Sequence, residues 1–212
     1  MEAAGTCDIF NRSVKLYNLR YTGFVGDRDT TTYKKVCEQM PYGDKKVEKM
    51  ECVGHVQKRV GTRLRKLKQT TKAGDVADNK GLGGKGRLTD KETDKMQAYF
   101  GNAIRANPKD IVGMRKAVGA VYCHKKSSDE DPVHNFCDVS WCPFLKAKQE
   151  GTPYTHSSNS YLPSAVMDPV KPVWKDQCKT ELPTKCLGGY TQNQNECLNS
   201  MIWTLCPKKK NH

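Results

Sequence analysis

Long apolar runs are missing from this sequence. No stretch approaches eighteen apolar residues, which excludes a membrane-spanning helix. Core formers are scarce as well: apolar residues make up 36% of the 212, aromatic residues 8%, and the mean hydropathy is −0.76. That is thin for a single globule of this length, though richer than a disordered chain. The opening Met1-Glu2-Ala3-Ala4-Gly5-Thr6 has neither a basic start nor an apolar segment, so no secretory leader is expected. The ten cysteines then read as reduced thiols or metal ligands rather than as a disulfide framework. No internal repeat is visible and no Cys–His nucleophile pair stands out. Acidic residues are also in short supply, 23 against 36 Lys and Arg, which leaves a net charge of +13. A densely negative partner follows from that balance, with nucleic acid the first candidate.

The charge is concentrated. Residues 45–91 hold 14 Lys or Arg against 5 Asp or Glu, most of the excess. Within them the spacing of Val56, Val60, Leu64 and Leu67 predicts a helix over 55–68 with one apolar face. Lys58, Arg59, Arg63, Arg65 and Lys66 cover the rest, so one side can pack on a core while the other meets phosphate. A plain solvated basic face has the same pattern. The glycine-rich 81–86 stretch that follows does not have Walker spacing, because Arg87 stands where the motif needs its lysine.

The remaining chain reads as alternating elements. A helix is predicted over 2–16 and a strand over 19–26, ending at Gly26-Asp27. A helix over 30–40 stops at Pro41, and 51–56 is either a second strand or a helix start. Residues 69–87 read as a flexible linker. Thr89 and Glu92 form a T-x-x-E capping box for a helix over 89–106. Asn107-Pro108 is expected to open a second helix, with proline in its first position, running to about Tyr122. Residues 123–175, with Pro132, Pro143, Pro153, Pro163, Pro169 and Pro172, read as irregular. A last helix from 191 is expected to turn Leu198, Ile202 and Leu205 inward.

Cys123, His124, His134, Cys137 and Cys142 crowd one short segment. His124-x9-His134-x2-Cys137-x4-Cys142 offers two imidazoles and two thiols, the donor types of a tetrahedral zinc site. The segment has little apolar content, so a metal would supply the folding energy that a core cannot. Trp141 and Phe144 are placed to cover one side. The spacing is that of no named zinc finger, so two thiols and two imidazoles sharing a loop remain the alternative. The other cysteines are scattered and fit small core positions.

Two acidic positions complete the candidates. Asp27 and Asp29 follow a strand end, where carboxylates reach a ligand-binding crevice. Glu196 lies early in the last helix. Taken singly, Asp27 is a turn residue and Glu196 a helix-start acid. Together with Glu51-Cys52-Val53-Gly54-His55-Val56-Gln57-Lys58-Arg59, the Gly81-Leu82-Gly83-Gly84-Lys85-Gly86-Arg87 stretch, Ser140-Trp141-Cys142 and Thr191-Gln192-Asn193-Gln194-Asn195-Glu196, these residues resemble the Mutator-like transposase domain of animal genomes.

The resemblance covers nearly the whole chain. It implies an α/β fold, partly RNase H-like, interrupted by a mostly helical insertion domain with a Cys/His zinc-like loop. It implies DDE chemistry on DNA with two Mg²⁺ or Mn²⁺ ions. Asp27 matches the second aspartate, with Asp29 the alternate, and Glu196 matches the glutamate. The zinc-like positions map onto His124, His134, Cys137 and Cys142. The expected organisation is 1–68 core, 69–88 linker, 89–175 insertion domain and 176–212 return to the core. DNA is the expected partner, the nucleus the expected location, and a homo-oligomer is expected of a full-length transposase. The family's first aspartate has no match here. The chain therefore reads as a fragment with transposase ancestry that does not cut DNA as written. The rival expectation is a non-enzymatic nuclear module derived from a transposase, binding DNA or protein.

Overall fold

The computed structural model describes residues 2–26, 30–156, 161–179 and 181–206. Two compact units emerge, Met1–Gly54 with Gly188–His212, and His55–Leu187. The described residues are mostly helical, with one two-stranded parallel sheet.

In the first unit, α1 (Glu2–Tyr17) is followed by β1 (Gly23–Gly26), α2 (Thr30–Glu38) and β2 (Glu48–Glu51). The strands pair in parallel, from Gly23 opposite Glu48 to Gly26 opposite Glu51, with α2 as the crossover. Phe10 and Cys7 on α1 meet Val36 on α2 and Val47 before β2, with Tyr21, Phe24, Tyr33 and Tyr42 packed around them. The polar tips of Tyr33 and Tyr42 are satisfied. The Tyr42 hydroxyl accepts the Tyr21 N–H at 3.0 Å, and Tyr33 donates to the Val47 carbonyl at 2.9 Å. The strand is shorter than the sequence predicts: it starts at Gly23, 19–21 stay outside the pairing, and Leu19 is exposed. The 51–56 stretch is mainly a helix start, with the second strand just before it.

The first unit also holds α9 (Asn193–Leu205). Gln192, at its start, donates its side-chain amide to the Val25 carbonyl at 2.9 Å. The expectation that Leu198, Ile202 and Leu205 face inward is corrected: they are 53%, 43% and 83% exposed. Periodicity supplies a stripe, but burial needs a surface to receive it, and no described residue of α9 is buried.

The second unit is built on α3 (Val53–Thr70), whose first two residues belong to the first unit. Val56, Val60 and Leu64 are fully buried. Arg105 of α4 (Asp90–Arg105) donates to Gln57 at 2.7 Å. Between α3 and α4 the glycine-rich stretch takes no helix or strand, yet Leu82 and Leu88 are buried. Arg87 holds the loop, bonding the Gly81 carbonyl at 2.6 Å and the Asp78 carboxylate at 2.5 Å. Thr89 caps α4 by accepting the Glu92 N–H at 3.1 Å, but Glu92 does not reach back as a capping box requires. Its carboxylate instead takes the buried Lys125 ammonium at 3.1 Å through both oxygens.

The next helix, α5 (Ile111–Lys126), is capped by Asp110, whose carboxylate accepts the Gly113 N–H at 2.9 Å. Asn107-Pro108 lies outside it, because Lys109 adopts a left-handed φ of 68° that interrupts the helical run. The helix also continues beyond Tyr122. The segment expected to be irregular contains α6 (Pro143–Glu150) and α7 (Ser164–Gln177). Pro143 occupies the first turn of α6, where a missing N–H is harmless. Pro169 and Pro172 lie inside α7, each costing about 3 kcal/mol in a helix interior. Burial of Val166, Met167, Val170 and Trp174 offsets that cost. Trp174 meets Phe100 edge to face at 5.5 Å and donates to the Val118 carbonyl at 2.9 Å. A short α8 (Glu181–Lys185) follows.

Candidate functional site

The continuation of α5 past Tyr122 places His124 in its last turn. The loop beyond it turns back through His134 and Cys137 and ends at Cys142, the residue that precedes Pro143 at the start of α6. Two tight turns hold the loop ligands in place. Cys137 N–H donates to the His134 carbonyl at 3.0 Å, and Cys142 N–H to the Asp138 carbonyl at 2.9 Å. One donor atom from each of His124, His134, Cys137 and Cys142 then lies within 4.8 Å of the others.

The separations inside this cluster test what it fits. The His134 Nδ1 is 3.5 Å from each of the Cys137 and Cys142 sulfurs, and the His124 Nδ1 is 3.8 Å from Cys137. A tetrahedral zinc with bonds of about 2.3 Å to sulfur and about 2.0–2.1 Å to nitrogen sets sulfur and nitrogen about 3.6 Å apart. The donor set therefore fits zinc. It does not fit magnesium, a hard ion that takes oxygen.

Burial shapes the electrostatics of the cluster. It holds His134 well below the usual imidazole range, at about 4, and lowers His124. Both rings are thus neutral near pH 7 and have a lone pair to give. Burial pushes the Cys137 thiol up to about 12, with Cys142 adding to the effect. A cation in the cluster supplies the charge that makes a thiolate favourable there, releasing protons as it binds. Phe144 stacks on His134 with ring centres 4.1 Å apart, and the half-exposed Trp141 sets its edge against His124.

Three groups around the cluster have no signal in the sequence spacing. His156 and Ser127 are buried, and the Ser127 hydroxyl lies 2.7 Å from His134 Nε2 and 3.1 Å from His156 Nε2. Asp129 accepts from His156 Nδ1 at 2.6 Å and from the His156 N–H at 2.8 Å. Those two bonds hold the Asp129 carboxyl below the usual range. The one clue available to sequence reasoning was that histidine is rare, only five in the chain, and three of them fall within 124–156.

The basic residues of α3 divide into two kinds. Arg63 pairs with Asp176, and Arg65 with Asp94. Lys179, and after it Arg63, hold the Asp176 carboxyl down at about 2. Arg59 is half-buried. Lys58 and Lys66 are exposed, and among the described residues neither has an ion-pair partner. Two of the five thus spend their charge inside the second unit, while two present it to solvent.

Of the carboxylates, Asp27 and Asp29 lie outside the described residues. Glu196 is exposed in the first turn of α9, its N–H donating to the Gln192 carbonyl at 2.9 Å. No described helix is long and apolar enough to cross a membrane.

Compared with curated proteins and with solved structures, the chain gives no match. The family model described as Mutator-like transposase matches residues 1–142. That span takes in the βαβ unit, the basic helix, the α4–α5 pair and all four donors, the last at its final residue. With two thirds of the sequence matched, the chain belongs to the Mutator-like transposase family.

Proposed function

We propose that this chain is a DNA-binding part of a Mutator-like transposase, with a zinc-stabilised segment at 124–142 and duplex DNA held on the outer face of α3. One observation carries the reading. Val56, Val60 and Leu64 are fully buried while Lys58 and Lys66, on the same helix, stand in solvent without protein partners among the described residues. Desolvating one face while leaving lysines free on the other is the arrangement a phosphate backbone recognises. The +13 charge points the same way.

RNase H-like ancestry with DDE chemistry is the finer reading. Its support is the βαβ unit and the bond from Gln192 to the Val25 carbonyl, which sets the start of α9 against the end of β1. Asp27, with Asp29 as alternate, follows that strand end, and Glu196 follows one turn after Gln192. A pair of Mg²⁺ or Mn²⁺ ions held by such carboxylates would stabilise the attacking and leaving oxygens. Two carboxylates do not complete that clamp, so the chain alone is expected to bind DNA without cutting it. The domain organisation 1–68, 69–88, 89–175 and 176–212, nuclear location and assembly into a homo-oligomer belong to the same proposal. A non-enzymatic protein-interaction role is the second reading, favoured by the exposed apolar face of α9.

Duplex binding measured by fluorescence anisotropy across a salt series tests the proposal. The log–log slope falls by roughly 0.9 for each phosphate that the protein no longer neutralises. Lys58→Ala with Lys66→Ala should shrink it by about two units if both touch phosphate. Arg65→Ala, which removes a charge already paired with Asp94, should change it less. Binding that ignores salt, or is unaltered in the double variant, overturns the DNA reading in favour of protein interaction.

A further inference from the structure

The hydrogen bonds around His134 extend beyond the four candidate metal donors. Asp129 accepts two bonds from His156, one of them from Nδ1 at 2.6 Å, so His156 has its proton on Nδ1 and a lone pair on Nε2. The Ser127 oxygen accepts the Val133 N–H at 3.0 Å. It has one proton to give, and the lone pair within reach is that of His156 Nε2 at 3.1 Å. Its second lone pair faces His134 Nε2 at 2.7 Å, so that nitrogen must donate. The His134 and His156 Nε2 atoms are themselves 3.0 Å apart, a separation that two lone pairs do not tolerate. One tautomer of His134 satisfies every group with His156 neutral: hydrogen on Nε2, lone pair on Nδ1.

We propose that Ser127, His156 and Asp129 form an outer shell that locks His134 in its Nε2–H tautomer and aims the Nδ1 lone pair at the space between Cys137 and Cys142. The relay runs from His134 through the Ser127 hydroxyl to His156 and ends on the Asp129 carboxylate. Three of its members are buried: His134 is 6% exposed, Ser127 0% and His156 8%. Phe144 stacks against both imidazoles, 4.1 Å from His134 and 5.7 Å from His156, which fixes the ring planes. Partners of this kind set ring orientation and raise the basicity of a metal-bound histidine. His156 and Asp129 are positioning residues, acting on the metal through His134. The inference deepens the zinc reading above and rests on it for its consequence, though the tautomer itself does not require metal.

The test uses the full chain, labelled with ¹⁵N, in two-bond imidazole correlation spectra before and after addition of Zn²⁺. In the metal-free protein His134 should have its proton on Nε2 and His156 on Nδ1. With Zn²⁺, the His134 Nδ1 resonance should shift as a metal-bound nitrogen while Nε2 keeps its proton. Zn²⁺ affinity, read against a competing chelator, should fall about 10–100-fold in His156→Phe. His156→Gln, which restores an acceptor for the Ser127 hydroxyl, should recover part of that loss. His134 protonated at Nδ1, a doubly protonated His156, or zinc bound by His156 itself overturns the proposal. So does unchanged affinity in a folded His156→Phe. If the metal-free tautomer is as stated but Zn²⁺ does not bind, the zinc reading fails while the locked tautomer stands.

Discussion

Helix α9 and the 124–156 segment invert each other. The helix has Leu198, Met201, Ile202, Trp203 and Leu205, and all of them are more than two fifths exposed. The 124–156 segment is poor in aliphatic side chains, yet it buries Ser127, His134, His156 and Lys125. Hydropathy alone would have placed the two the other way round. Burial follows from having partners. Each of these four is met by another donor or acceptor, so leaving water costs little. No described residue of α9 is buried. Helix α3 shows the ordinary case, with an apolar stripe buried and lysines outside.

The sharpest way to break this comparison is to remove what holds the polar segment. Purified protein should contain about one Zn²⁺ per chain by elemental analysis. Replacing Cys137 and Cys142 together by alanine should release it and strip hydrogen-exchange protection from 124–156, while amides of α1 and α2 keep theirs. Structural zinc contributes on the order of 10 kcal/mol to small folds, so this is the largest effect expected. Zinc-free protein with full protection in the segment would show that its hydrogen bonds suffice.

Next in size is the apolar counterpart. Leu64→Ala, at a fully buried site on α3, should cost about 2–5 kcal/mol in denaturant unfolding of the second unit. A loss below about 1 kcal/mol would mean that the α3 face is not a core.

The α3 stripe and the capping threonine of α4 were legible in the sequence because both rest on local chemistry. The clustering of His124, His134, Cys137 and Cys142 was legible for the same reason: their spacing is short. His156 was not, because it reaches the site through a bond to Asp129 across intervening chain, and no spacing rule encodes that. The prolines misled in the opposite direction. Pro169 and Pro172 argue against a helix one at a time, and only packing around Trp174 outweighs them. Pairing of Arg63 and Arg65 with Asp176 and Asp94 was invisible for a similar reason, since those partners lie on other helices.

The smallest effect belongs to α9. Ile202→Ser with Leu205→Ser should leave stability within about 0.5 kcal/mol for each change, as at other exposed positions. A larger loss by thermal unfolding would show that the stripe is covered in solution, and the contrast with the polar segment would narrow.

Lys125 gives the His/Cys cluster a mechanical reach. It follows His124 in the last turn of α5, and its ammonium closes on Glu92 in the first turn of α4. Anchoring one turn therefore clamps two helix ends. If that turn frays, the lysine withdraws and leaves the mostly buried Glu92 carboxylate to the more exposed Lys95, 3.2 Å away, a weaker pair. The two ends are coupled like a bolt and its nut: loosening at the imidazole is felt at the Thr89 cap, on a different helix from the one that holds the donor.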